Sequence, residues 1–245
     1  MPIVEAQDLQ YAYPDGHPAL GGLTFAVEPG ERVGLAGPNG AGKSTLLQLL
    51  AGVLLPGGGA LTVAGHRAQK GALPAIRRAA GLVFQDSDDQ LFCSTVREDV
   101  AFGPRNLKLP EAEVAERVER ALALTGATPL ADRPPYKLSG GEKRAAAVAA
   151  VLAMEPQVLL LDEPSSSMDP QARRRLIHLM RGLPQAQIVA SHDLDLLWEV
   201  CDRVLVLRQG AIAADGPAHD VLRDETLLAS CALELPLRLQ PLGKR

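Results

Sequence analysis

The sequence predicts an α/β fold on a mostly parallel sheet, and three observations carry that prediction. Short β-like runs alternate with helical stretches along most of the chain. Two of those runs, residues 33–36 and 158–161, are apolar throughout and unalternated, as strands covered on both faces require. The first of them leads through a glycine-rich loop into a helix-forming segment, the succession used by phosphate-binding folds.

In chain order, residues 3–6, 23–27, 33–36, 61–64, 82–84, 158–161, 188–190 and 204–207 read as strands, with 33–36 and 158–161 central. Around Gly210, the stretch VLVLRQGAIAADG reads as an edge hairpin on a tight turn, or as a strand running into a loop. The strand signal is lost from about 110 to 152. There residues 111–125 place Val114, Val118, Ala121 and Leu122 on one helical stripe opposite Glu113, Glu116, Arg117 and Arg120, which predicts a helical insert. Residues 226–245 are apolar with two prolines and predict no definite element.

Hydrophobic residues at 47% and charged residues at 22% are the proportions of a folded protein, not of a disordered one. A net charge of −4 gives no basic footprint, so no nucleic-acid partner is expected. No apolar run nears the roughly 20 residues that span a bilayer. The start, MPIVEAQDLQ, has neither the basic head nor the apolar centre of a secretion signal. The chain is therefore expected outside the bilayer. Cys93, Cys201 and Cys231 are scattered without a CxxC pair and read as reduced, space-filling residues of a cytoplasmic protein.

Gly37-Pro38-Asn39-Gly40-Ala41-Gly42-Lys43-Ser44 fits G-x-x-x-x-G-K-[ST], with Thr45 opening a helical run over 45–51. Glycines let successive N–H groups converge on phosphate oxygens, and the helix start adds its positive dipole end. Lys43 brings a full charge to the β- and γ-phosphates, and the Ser44 hydroxyl suits Mg²⁺. The strand at 158–161 ends in Asp162-Glu163. At the carboxyl edge of an open α/β sheet, Asp162 is placed to hold Mg²⁺ and Glu163 to take a proton from attacking water, although paired acids also cap helices.

Leu138-Ser139-Gly140-Gly141-Glu142 stands 24 residues before Asp162 and opens a helical run over 143–154. Ser139 and the N–H groups of Gly140 and Gly141 would form a second anion-binding helix start. With this pentapeptide the chain resembles the ABC ATPase family, whose signature is LSGGQ or LSGGE at this spacing. The resemblance runs from about residue 3 to 217. It implies a P-loop ATPase fold: a core at about 1–85 and 156–225, an antiparallel β subdomain, a helical subdomain at about 86–155 and a tail at 226–245. It also implies ATP and Mg²⁺, and a second ATPase subunit, the same chain or a close relative, whose ATP is gripped by Ser139, Gly140, Gly141 and Glu142. Tyr13 matches the aromatic that stacks on adenine, with Tyr11 the competing candidate. Gln85 matches the glutamine that reaches Mg²⁺ and attacking water, and His192 the histidine that contacts the γ-phosphate. Ser167-Met168-Asp169 matches the loop coupling the two sites, with Met168 where Leu is usual.

Gln85-Asp86-Ser87-Asp88-Asp89-Gln90-Leu91-Phe92 and the stretch DVAFGPRNL at 99–107 look like the DDQLF and DVAFGPxNL segments of energy-coupling-factor ATPases of the cobalt-transport type. That resemblance implies import of a vitamin or of cobalt or nickel ions, transmembrane permease partners, and a peripheral position on the cytoplasmic face of the membrane. Leu91 and Phe92 are expected to be exposed and to form a groove for a partner's helix. The rival expectation is a soluble ABC ATPase acting on DNA or ribosomes.

Overall fold

A computed structural model describes residues 1–166 and 168–240. The chain runs β1 (Val4–Ala12), β2 (Pro18–Val27), β3 (Arg32–Ala36), α1 (Lys43–Leu50), β4 (Gly58–Val63), β5 (His66–Arg67), α2 (Leu73–Ala79), β6 (Ala80–Val83), α3 (Val96–Asn106), α4 (Glu111–Thr125) and α5 (Gly140–Leu152). It continues through β7 (Val158–Asp162), α6 (Pro170–Gly182), β8 (Ala186–Ala190), α7 (Leu194–Val200), β9 (Arg203–Arg208), β10 (Ala211–Pro217), α8 (Ala218–Val221) and α9 (Glu225–Ser230).

Two sheets form. The larger has the order β10-β9-β3-β8-β7-β6, parallel except for the β9–β10 hairpin at one edge. The smaller, β2-β1-β4-β5, is antiparallel. Helix α1 lies between them and buries Leu46, Leu47, Leu49 and Leu50, which is why its sequence is apolar nearly all round.

Every other residue of a central strand faces a different apolar cluster. Along β7, Val158 and Leu160 join the cluster shared with α1 and the smaller sheet, while Leu159 and Leu161 join the one shared with α3–α7. Val204 and Val206 on β9 divide from Leu205 and Leu207 in the same way. The unbroken apolar run at 158–161 therefore has the cause read from it: both faces are covered.

The hairpin reading around Gly210 holds, and the alternative of a strand dissolving into a loop does not. Helix α4 coincides with the expected 111–125 stripe, with Val114, Val118, Ala121 and Leu122 buried. Differences lie mainly at ends. The strand at 82–84 is displaced to Ala80–Val83 and leaves Phe84 outside. The first two strands are longer than read because polar residues alternate along the solvent face of the smaller sheet. The strand-free stretch begins well before 110, since α3 precedes α4; its interior Pro104 masked the helical pattern. Up to residue 240 the tail, without a definite element in the sequence, includes α9 and a 3₁₀ turn at Leu237–Leu239.

Candidate functional site

The loop between β3 and α1 wraps the mouth of an open cleft of about 680 Å³, lined by residues 37–45 together with Tyr13, Gln85, Asp162, Glu163 and His192. Thus Gly37, Pro38, Asn39, Gly40, Ala41, Gly42, Lys43, Ser44 and Thr45 all face one space. Gly42 has φ +102°, and a Cβ there would stand 2.8 Å from the Ala19 carbonyl and 2.7 Å from Leu20 Cδ2; only glycine closes this turn against β2. Lys43 Nζ donates to the carbonyls of Gly37 (2.6 Å) and Pro38 (3.2 Å), spanning the loop from inside. Burial pushes its ammonium below the ordinary lysine value, and the Glu163 and Asp162 carboxylates oppose that shift.

Asp162 ends β7, pairing with Ala190 in register, and Glu163 follows in a left-handed backbone conformation, φ +45°. This sharp turn away from the strand is strained for a residue with a side chain. Glu163 is buried and accepts hydrogen bonds from Ser191 Oγ (3.0 Å) and the His192 backbone N–H (3.0 Å). His192 Nδ1 lies 2.8 Å from Glu163 Oε2, while the imidazole is largely exposed to the cleft. Burial raises the Asp162 carboxyl above its usual range; the Ser44 bond opposes this, Glu163 adds to it, and Lys43 and Arg144 oppose it.

Of the two tyrosine candidates, Tyr13 lines the cleft and Tyr11 packs on the cluster beneath the smaller sheet. The Tyr13 hydroxyl is hydrogen-bonded to Thr45 Oγ1 at 2.8 Å, which ties the β1–β2 turn to the phosphate loop. Ser44, Asp162 and Gln85 stand together in the same cleft. Hydroxyl, carboxylate and amide oxygens are hard donors that suit Mg²⁺, which keeps waters and phosphate oxygens instead of filling an all-protein cage. The Ser44 hydroxyl, the Asp162 carboxylate and the Gln85 amide, grouped in one cleft with the phosphate loop, are a donor set that fits Mg²⁺ shared with a nucleotide.

The sequence reading missed Arg144. Its guanidinium, on α5 and 4% exposed, donates to the carbonyls of Phe84 and Gln85, both at 2.5 Å. Gln90 adds a second tie, accepting from the Phe84 N–H (3.2 Å) and donating to the Ala147 carbonyl (3.0 Å). The segment carrying Gln85 is therefore fastened to the helix that Ser139 opens. An arginine five residues past Ser139, on the helical face it shares with Ala147 and Val148, was the available signal.

At the start of α5, Ser139 and Glu142 form a reciprocal capping box, with the Ser139 N–H donating to Glu142 Oε2 at 2.8 Å. The cap holds Glu142 below the ordinary carboxylate range. Ser139 and Gly140 are exposed, and Ser139, Gly141 and Glu142 do not line the nucleotide cleft of their own chain. Gly141 lets α5 approach α6, where a Cβ would stand 2.9 Å from Ala172 Cβ. Asp169 caps α6 by accepting from the N–H groups of Gln171 and Ala172, both at 2.9 Å. Ser167 of the expected coupling loop lies outside the described residues.

The expectation for Leu91 is corrected: it is 6% exposed and packs into the cluster with Val96, Val100 and Val148. Phe92 is 64% exposed and meets Phe102, 45% exposed, edge to face at 4.9 Å between centroids. The surface at this point is thus built from Phe92 and Phe102, one from the loop and one from α3. Buried Asp99 holds the loop in place by accepting from the Phe92 and Cys93 N–H groups, both at 2.9 Å.

A glycine-rich phosphate cradle, a lysine inside it and a carboxylate pair at the end of the neighbouring strand define a nucleotide-hydrolysing enzyme of the P-loop class. A family model described as ABC transporter matches residues 20–166. A putative ABC transporter ATP-binding protein of Geobacter sulfurreducens is 52% identical over 97% of this chain and 96% of its own length. The energy-coupling factor transporter ATP-binding protein EcfA of Methanothermobacter thermautotrophicus is 46% identical over 96% of this chain and 77% of its own. Among solved structures, cbiO1 of Clostridium perfringens, described as part of the ABC transporter complex cbiONQ, superposes with TM-score 0.83 at 37% identity over 96% of both chains. A dimeric ATP-binding cassette bound to ADP and phosphate in a post-hydrolysis state gives 0.79 at 25% identity over 88% of this chain and 98% of that one. The chain belongs to the ABC transporter family as an ATP-binding subunit, an ATPase whose hydrolysis is coupled to transport.

Proposed function

We propose that the chain powers an importer of the energy-coupling-factor type, which takes up cobalt or nickel ions or a vitamin. The observation that carries this reading is one short segment: Gln85 lies in the nucleotide cleft, and seven residues on, Phe92 joins Phe102 in an exposed aromatic pair. Such a segment suits a helix of a transmembrane permease on one side and the hydrolytic site on the other. The relatives named EcfA and cbiO1 support the type of importer. No helix among the described residues is long and apolar enough to cross a membrane, which fits a peripheral subunit on the cytoplasmic face.

In the proposed cycle two ATPase subunits, identical or closely related, close over two ATP molecules. Residues 37–45 bind the phosphates of one ATP, Lys43 charges its β- and γ-oxygens, and Tyr13 stacks on adenine. Ser139, Gly140, Gly141 and Glu142 serve the ATP of the opposite subunit. The position of Ser139, Gly141 and Glu142 outside their own cleft supports that assignment. Ser44, Asp162 and Gln85 would hold Mg²⁺, which would neutralise phosphate charge there. Glu163 accepts the proton of the attacking water as its oxygen bonds to the γ-phosphorus and the β–γ bridging bond breaks, giving ADP and phosphate. His192 contacts the γ-phosphate, and Asp169 couples the two sites. Loss of the γ-phosphate removes what favours the closed dimer, and the subunits part.

The test is to express the tagged chain in its native host and identify what co-purifies from mildly solubilised membranes. A multi-spanning membrane protein, lost when Phe92 and Phe102 become charged, is the expected result. Recovery only from the soluble fraction with ribosomes or nucleic acid would overturn the import reading.

A further inference from the structure

A second cleft of about 480 Å³ adjoins the nucleotide cleft, and His192 and Leu233 line both. One wall of the second cleft is Ser165, Ser166 and residues 192–195; the other is the C-terminal segment from 233 to 240. The tail thus reaches the part of the site where His192 stands.

Local structure explains how it gets there. Helix α9 ends with the Leu233 N–H on the Leu228 carbonyl (2.9 Å) and the Ala232 N–H on the Ala229 carbonyl (3.1 Å), around a left-handed Ala232 at φ +56°. This is a Schellman termination with alanine where glycine is usual, and it turns the chain back toward the cleft. Leu228 and Cys231 are fully buried and anchor the turn.

The far end is fixed by charge. Asp195 of α7 accepts from the Leu237 N–H (2.7 Å), the Arg238 N–H (3.3 Å) and Arg238 Nε (2.8 Å). Arg238 Nη2 reaches Glu199 of the same helix at 2.8 Å. Glu199 also accepts from Arg173 (3.3 Å) of α6, and Arg173 holds Asp193, next to His192, at 3.0 Å. The α7 carboxylates are thus held on one side by the helix that Asp169 caps and on the other by the tail.

We infer that the segment from 231 to 240 is a strap that positions His192, with Arg238 as the positioning residue and Leu233 as the wall beside the imidazole. Arg238 does not line the nucleotide cleft; it binds Asp195 and Glu199 of α7, and acts through that helix on the loop carrying His192. The inference rests on the reading of His192 as the γ-phosphate contact.

The test is a double-mutant cycle in the purified full-length chain, reading kcat and KM for ATP, with thermal melting to verify folding. Arg238→Ala should lower kcat about tenfold and change KM by less than about twofold, as expected for a misplaced transition-state group. In a His192→Ala background it should have no further effect. Arg238→Lys, keeping one carboxylate contact, should recover part of the rate. Leu233→Ser provides the same cycle if Arg238→Ala folds poorly. Unchanged kcat in both folded variants overturns the strap. So does an equal loss in both backgrounds, which leaves the His192 reading standing. Normal kcat for His192→Ala alone overturns the His192 reading, and the strap with it.

Discussion

His192 Nδ1 stands 2.8 Å from Glu163 Oε2, so the imidazole exposed to the cleft is in direct contact with the buried carboxylate. Glu163→Gln keeps an acceptor for the His192 and Ser191 donors but loses the basic oxygen. Turnover should fall by about 10²–10⁴-fold. ATP-dependent dimerisation, followed by sedimentation, should persist. Normal hydrolysis by this variant would remove Glu163 from the role of base.

Lys43→Ala removes a buried cation placed between the phosphate loop and two carboxylates. Affinity for ATP should weaken by about 30-fold or more, the usual cost of deleting one partner of a buried charge pair. Calorimetric titration gives the answer directly.

Arg144→Met leaves the Phe84 and Gln85 carbonyls without their donor. Each lost charge-assisted bond costs about 1.5–3 kcal/mol, so thermal melting should fall by several degrees. Hydrolysis should fall further than the folded fraction does, because the segment carrying Gln85 loses its Arg144 ties to α5 and keeps the Gln90 tie.

Phe92→Asp with Phe102→Asp changes an exposed pair outside the cleft. The isolated chain should hydrolyse ATP at the unaltered rate, while recovery with membrane partners should fall to background. Equal recovery would remove this surface from the interface.

The arginine contacts hold Asp195 and Glu199 below the ordinary carboxylate range, although burial alone would raise them. A depressed folded pKa means stability that is complete above the unfolded value and is lost as pH falls through the folded one. The stability difference between the natural chain and Arg238→Ala should therefore be constant near neutrality and shrink below about pH 4. Denaturant midpoints of both proteins across that range provide the check.

Legibility in the sequence followed locality. The phosphate loop, the Asp162-Glu163 pair and the α4 stripe are contiguous or strictly periodic, and each was readable from a short window. Leu91 and Phe92 are adjacent and equally apolar; which one turns inward depends on Asp99 gripping the loop from α3, a contact that no local pattern records. Arg144 met the same obstacle, since its partners lie about 60 residues earlier on another element. The tail was opaque because Ala232 stands where glycine would have announced a turn, and because its charge partners belong to α7.

Strand β7 gives alternate side chains to two separate apolar clusters and then releases Asp162 and Glu163 at its end. This carboxylate pair therefore stands on a seam shared by two compartments. Packing on either side of the sheet thus reaches the root of this pair through its own set of β7 side chains, Val158 and Leu160 from one layer and Leu159 and Leu161 from the other.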